Sequence, residues 1–519
     1  MTNLVAVAPQ VSSPVGTLTG PGEQFEVSEY LRALLCLTTD HVLHVVDGYG
    51  ADQYVLAFIS KVRRAIQGRP TITYVTPEVI KAFYGGVKAT AASGGSAQPS
   101  NTGLSGKGKH EQVVELLRIA TQAGASDIHF VASPSGHHVR FRVHGDLETV
   151  QNFAGLDGVA VMSSIYETMC EFNGQNYRPG EKQDGRLKGE FVTECGLFGA
   201  RVATRPSLNG PGMVMRLLYD SGKQLTLNEM GYLPSQIDTL TRLVHRKDGM
   251  VFLTGTTGSG KSTSIQTLLN MLMVAMMNSI NLVTVENPVE YRIQGATQTP
   301  LGPKEAWHEA ITNLMRLDPD VLLIGEVRDA ASVLAAFQAA LTGHGTWTTL
   351  HVNAAIATFQ RLHDLGVHKN LLYDPALIKG LVNQSLTRVL CTACKEPYLS
   401  RRTELASDSR ARIESLCIPE QVFLKGTGCA HCKGRGVINR TAIAEIIQPD
   451  LAFMRKLRDQ DKSEAHVFWV REQGGITKNA HLIQRINEGM VDPTHGERDV
   501  CQLDEDVTTL GTAREVRRA

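Results

Sequence analysis

The residues Gly255-Thr256-Thr257-Gly258-Ser259-Gly260-Lys261-Ser262 have the spacing GxxxxGK[ST], the chemistry of a loop that cradles a triphosphate. Its glycines let backbone N–H groups turn inward around phosphate oxygens, and the helix that opens at the loop's end adds partial positive charge. Lys261 is placed to reach the β- and γ-phosphates, and Ser262, followed by Thr263, to hold Mg²⁺. The apolar run MVFLT before the loop and the segment TSIQTLLNMLM after it supply the strand and helix that such a loop requires. The ligand is read as ATP.

Holding a triphosphate is not hydrolysing it; that needs a metal-organising acid and a group to orient water. The apolar run VLLIG ends in Glu326, a carboxylate at the C-terminal end of a strand. The segment VENPVEY offers Glu286 and Glu290 around Pro288, which turns the chain after another strand. Either cluster alone reads equally as a solvated strand end, but together, on strands downstream of the loop, they read as catalytic.

Nine cysteines include two CxxC pairs, Cys391/Cys394 and Cys429/Cys432. Each pair can grip a metal from one turn, and two pairs complete a tetrahedral Cys₄ shell suited to Zn²⁺. His431 is a rival ligand. Four thiolates leave no open position for water, so the zinc is structural. The odd count in a long chain argues against a disulfide framework and for a reducing compartment.

These groups need elements to carry them. At 519 residues, two to four domains are expected. Lys plus Arg and Asp plus Glu are 52 each, and no basic, aromatic-rich stretch occurs, so no nucleic-acid partner is expected. The N-terminus lacks a secretory pattern and no run approaches 18 apolar residues. Any membrane contact is therefore expected only through partners. Residues 1–25 read as a flexible arm, 26–84 as a small α/β module in which YLRALLCL is helical, and 85–109 as a Gly/Ser/Ala linker. Residues 110–222 read as an α+β domain, with GRLKGEFVTE, LFGARVATRP and GMVMRLLY as strands. Residues 223–450 alternate strand and helix, the mark of a largely parallel sheet, with the cysteine segment 391–432 inserted. Residues 451–519 read as helical and polar.

GTTGSGKST, VTVENPVEY, RLDPDVLLIGEVRD and ALTGHGTWTTLH, in this order, resemble the Walker A, Asp, Walker B and His boxes of the secretion ATPase superfamily that drives type II secretion and type IV pilus dynamics. ASDIHF, VRFRVHGDL, QDGR and the stretch from Arg201 to Arg216 are similar to its N2 domain, and the resemblance covers roughly residues 110–450. It implies a RecA-like P-loop core behind a PAS-like N2 domain. It also implies a homohexamer in the cytoplasm, peripheral to the inner membrane through a platform protein. Carried over by position, Glu326 acts through Mg²⁺ and water, Glu290 is the candidate general base, and Glu286 lies beside them. His351 contacts the γ-phosphate with His344 nearby, and Arg201 and Arg216 close on the phosphates as arginine fingers.

The CxxC pairs resemble the family's assembly and secretion branch, so the expected function is an ATPase that powers assembly of a type IV pilus or related pseudopilus. A type II secretion ATPase is the alternative. The short N-terminal module points toward a type IVb or conjugative thin-pilus system. One departure stands out: Asn287 occupies a position where the family usually has Asp, removing a charge. It motivates a further alternative, a slow nucleotide-gated scaffold.

Overall fold

The computed structural model describes residues 16–84 in part, and 108–511 apart from 135, 154, 172–175, 220–224 and 303. The expected arm lies largely, and the expected linker almost wholly, outside the described residues. The chain divides into two compact units between residues 105 and 106.

In the first unit, β1 (Leu35–Leu37) pairs antiparallel with β2 (Val42–Val46), which pairs parallel with β3 (Thr71–Val75). YLRALLCL, expected to be helical throughout, is helical only over Glu29–Leu34. Its last residues instead pair with β2, in the register Leu35↔Val45 and Leu37↔Leu43, where both leucines are fully buried. Val55, Phe58, Ile59 and Val62, at helical spacing, close this core.

Among its described residues the second unit holds two large sheets and one two-stranded pair. The first is antiparallel throughout: β4 (Ala125–Ser133), β5 (Gly136–Val143), β6 (Asp146–Phe153), β7 (Gln183–Arg186), β8 (Leu197–Ser207) and β9 (Gly210–Tyr219), in the order β6-β5-β4-β9-β8-β7. Ile128, Phe130, Val139, Phe141, Val202 and Met215 alternate onto one face, beneath the helices Lys109–Gln122 and Gly155–Ser164. The segment GRLKGEFVTE is not one strand: β7 stops at Arg186, and Gly189–Val192 turns helical so that Val192 reaches the same core.

The second sheet comprises β10 (Met250–Thr254), β11 (Leu282–Glu286), β12 (Thr297–Pro300), β13 (Val321–Ile324), β14 (Gly345–Leu350), β15 (Ile378–Leu390) and, after the short pair β16 (Glu396–Pro397) and β17 (Phe423–Leu424), β18 (Val437–Ile447). Its order is β12-β11-β13-β14-β10-β15-β18, parallel except that β18 runs antiparallel to β15. Separate apolar clusters cover its two faces, which is why MVFLT and VLLI are buried at every position. Residues 451–510 form several short helices, and they are far from purely polar: Phe453, Trp469, Leu482 and Ile486 seal the sheet and the cysteine segment.

Candidate nucleotide-binding and catalytic site

In a parallel sheet the loops at the strands' C-terminal ends form the working edge. There β10 passes directly into the phosphate loop. Asn383 Nδ2 donates to Thr254 Oγ1 at 2.8 Å and to the Val352 carbonyl at 2.9 Å, tying β10, β15 and the segment after β14 together at this edge. Gly255 has φ 142°, and a Cβ there would stand 2.3 Å from the Gln384 carbonyl oxygen, so no larger residue fits. Thr256, Thr257 and Gly258 form the loop's exposed rim. Lys261 is buried, and its ammonium donates to the carbonyls of Gly255 at 2.8 Å and Thr256 at 2.9 Å. Burial lowers its pKa to about 8, opposed by the negative charges of Glu290 and Glu326, which lie within electrostatic reach.

The three glutamates stand differently. Glu286, at the end of β11, accepts from Thr284 Oγ1 at 2.7 Å and Gln298 Nε2 at 3.0 Å, and burial raises its pKa. Its carboxyl is engaged in bracing β11 against β12. Glu326 follows β13 and forms an ion pair with Arg328. Glu290 lies half-buried beyond the Asn287–Pro288 turn, where Asn287 is exposed. His351, just after β14, has its pKa lowered by desolvation and by the charge of Lys261, which keeps the imidazole neutral near pH 7.

The arginines belong to the antiparallel sheet. Direct pairing places Arg142, Asp127, Arg216, Arg201 and Arg186 in one row across β5-β4-β9-β8-β7. Asp127 meets Arg216 Nε at 3.2 Å and Arg142 Nε at 3.8 Å. Arg216, at the middle of the row, lies within electrostatic reach of the phenol of Tyr291 after β11, on which the charge of Arg440 also acts. Phe198 carries Arg186 at 5.2 Å and Arg292, from the other domain, at 5.9 Å. The β5–β6 turn docks beside the loop: Asp146 meets Arg388 at 2.6 Å, and Glu148 takes both a 2.8 Å and a 2.9 Å bond from Arg435. Between that turn and the loop rim lies a cavity of about 220 Å³, lined by His144, Gly145, Thr256, Thr257, Arg388 and Arg440 among others.

Residues 107–504 match the type II/IV secretion system protein family. The chain belongs to that family. It is 33% identical over 352 residues to the type II secretion system ATPase E of Vibrio cholerae, a match taking in 67% of each chain. It is 32% identical over 366 residues to the type IV pilus assembly ATPase PilB of Pseudomonas aeruginosa, over 70% of this chain and 62% of that one. The ATPase DotB of Legionella pneumophila shares the fold, with a TM-score of 0.53 at 20% identity over 76% of this chain and 97% of that one.

The cysteines of this family member converge. The Sγ atoms of Cys391, Cys394, Cys429 and Cys432 lie within 4.8 Å of one another, with Cys391–Cys429, Cys394–Cys432 and Cys429–Cys432 each at 3.8 Å. A tetrahedron of Zn–S bonds of about 2.3 Å has edges of about 3.8 Å, so the shell fits zinc. The amides of Cys429 and Gly436 donate to Cys432 Sγ at 3.1 Å each, the setting of a thiolate ligand. His431 Nδ1 stands 3.4 Å from Cys391 Sγ, outside the four-sulfur cluster. No helix among the described residues is long and apolar enough to cross a membrane.

One expected neighbour is absent. His344 precedes β14 whereas His351 follows it, so at about 3.3 Å per residue they are roughly 20 Å apart. His344 Nδ1 lies 3.0 Å from the Ala339 carbonyl at a helix end, on the edge opposite the loop. Arg328, two residues beyond Glu326 in GEVRD, joins the site through its ion pair with Glu326, and its place beside the strand-end acid was the available signal. Gln384 and Tyr232 gave no local signal: they meet across 152 positions of sequence.

Proposed function

We propose that this protein hydrolyses ATP and transmits the work to assembly of a type IV pilus or related pseudopilus. The observation that carries the reading is the convergence of Lys261, Glu290, Glu326 and His351 on the phosphate loop. Relatives named as secretion and pilus assembly ATPases support it. ATP sits between the antiparallel N2 domain and the loop, with Ser262 and Glu326 holding Mg²⁺. Glu290, unlike the braced Glu286, is the general base for the attacking water. His351 stands at the γ-phosphate as a neutral hydrogen-bonding group. Arg201 and Arg216 move onto the phosphates when the N2 domain closes, offsetting the charge that develops in phosphoryl transfer. Zinc fills the Cys₄ shell.

The working form is a homohexamer, cytoplasmic and peripheral to the inner membrane, acting on a platform protein there. The same chemistry would serve type II secretion.

Steady-state phosphate release from Mg·ATP tests the enzymatic core of this reading. Wild type should exceed Glu326→Gln by about 100-fold or more, since the variant loses the charge that organises the metal. Equal rates would instead favour the nucleotide-gated scaffold, for which exposed Asn287 and the Arg328-engaged Glu326 are the motivation.

A further inference from the structure

Behind the phosphate loop lies a buried polar cluster that no role above uses. Gln384, on β15, is 1% exposed, and Tyr232 and Ser264 are fully buried. The three side chains come from distant places. Tyr232 belongs to the segment joining the N2 domain to the ATPase domain, just before the helix Pro234–Val244. Ser264 lies in the first turn of the helix Lys261–Ala275. Gln384 Nε2 donates to the Ser259 carbonyl at 2.6 Å. Its Oε1 accepts from Ser264 Oγ at 2.8 Å and from the Tyr232 hydroxyl at 2.5 Å.

Burying these groups is costly unless each finds a partner, and here the partners fix the amide's orientation. Two hydroxyls on Oε1 leave Nε2 to face Ser259. An amide flipped end for end would set NH₂ against the hydroxyls and oxygen against the Ser259 carbonyl. The consequence falls on the loop. In a trans peptide, C=O and N–H point to opposite sides of one plane. Anchoring the Ser259 carbonyl on β15 therefore aims the Gly260 N–H away from the protein, toward the side where the loop cradles phosphate. Gly260 itself takes φ 86°, and a Cβ there would stand 3.0 Å from Gln384 Nε2, so the contact leaves no slack.

We propose that Gln384 is a positioning residue that holds the Ser259–Gly260 peptide in its phosphate-binding orientation, and that the Tyr232 hydroxyl, from the interdomain connection, sets the orientation of Gln384. This rests on the reading of the loop as a nucleotide site. It adds a physical link by which the segment leading out of the N2 domain reaches the loop.

The test uses the full chain and titrates fluorescent ATP and ADP analogues into wild type, Gln384→Glu and Tyr232→Phe. Gln384→Glu keeps the shape but sets a carboxyl oxygen against the Ser259 carbonyl, and Tyr232→Phe removes only the hydroxyl. Gln384→Glu should weaken ATP and ADP alike by about tenfold or more, because the loop cradles phosphates common to both. Tyr232→Phe should weaken both by about three- to tenfold and raise KM for ATP while leaving kcat within about twofold. A purely structural role would lower the melting temperature of the nucleotide-free protein in both variants and leave the nucleotide-induced rise in melting temperature intact. That result, or affinities equal to wild type in the folded variants, would overturn the proposal. If wild type itself bound neither nucleotide, the reading of the loop would fail, a result distinct from failure of the Gln384 assignment.

Discussion

The two faces that are to meet at the nucleotide are built on opposite principles. At the phosphate loop, several charged and polar side chains are buried and hydrogen-bonded within the protein. Lys261 rests on two loop carbonyls, Glu286 is bonded to two side chains, and Gln384 is bonded on both ends. On the N2 sheet, four arginines share one row with a single aspartate, Arg201 is exposed, and Arg216 keeps nearly half of its side chain open. Like charges directly opposite across strands are destabilising, and Arg201 faces both Arg216 and Arg186. Under the proposed function the row would face the anion held by the loop. A hydrogen-bonded cradle and an exposed arginine stripe are what the closure proposed above would bring together.

The largest effect on nucleotide affinity should come from the cradle. Lys261→Ala removes the buried cation proposed to meet phosphate, and nucleotide affinity measured by equilibrium titration should fall by about 100-fold or more. The pH dependence should be next. The ligand-free pKa of Lys261 is about 8, and anionic phosphate favours the charged form. Affinity is therefore complete below pH 8 and lost as pH rises through it, by up to about tenfold per unit until the bound-state pKa is reached. A flat profile between pH 7 and 9.5 would remove the lysine from the contact. Smallest, and opposite in sign to the usual mutation, Arg201→Ala should leave the nucleotide-free protein as stable as wild type or up to about 1 kcal/mol more stable, by relief of repulsion in the row. Denaturant unfolding measures this, and a clear loss of stability would show that Arg201 serves the fold.

Legibility in the sequence followed locality. The phosphate loop, the acid-bearing strand ends and the cysteine pairs are each written in consecutive residues, so their chemistry could be read without a structure. The parallel sheet was legible because strands buried on both faces are unbroken apolar runs, as in MVFLT and VLLI. What escaped depends on pairing. Leu35–Leu37 carries helix-forming residues but is claimed by β2, and GEFV, which reads as a continuation of β7, is claimed by a helix. His344 and His351 are seven residues apart in sequence, yet the extended strand between them carries them to opposite edges. The arginine row exists only through strand register, and Gln384 meets Tyr232 only through the fold.

Completion of the site by closure is tested most directly by steady-state phosphate release at saturating Mg·ATP from the double variant Arg201→Ala, Arg216→Ala. If the row closes on the transferring phosphate, kcat should drop by about 10³ while nucleotide affinity stays within about threefold of wild type. A double variant with wild-type kcat would contradict it, leaving the arginines as solvated residues of the N2 sheet.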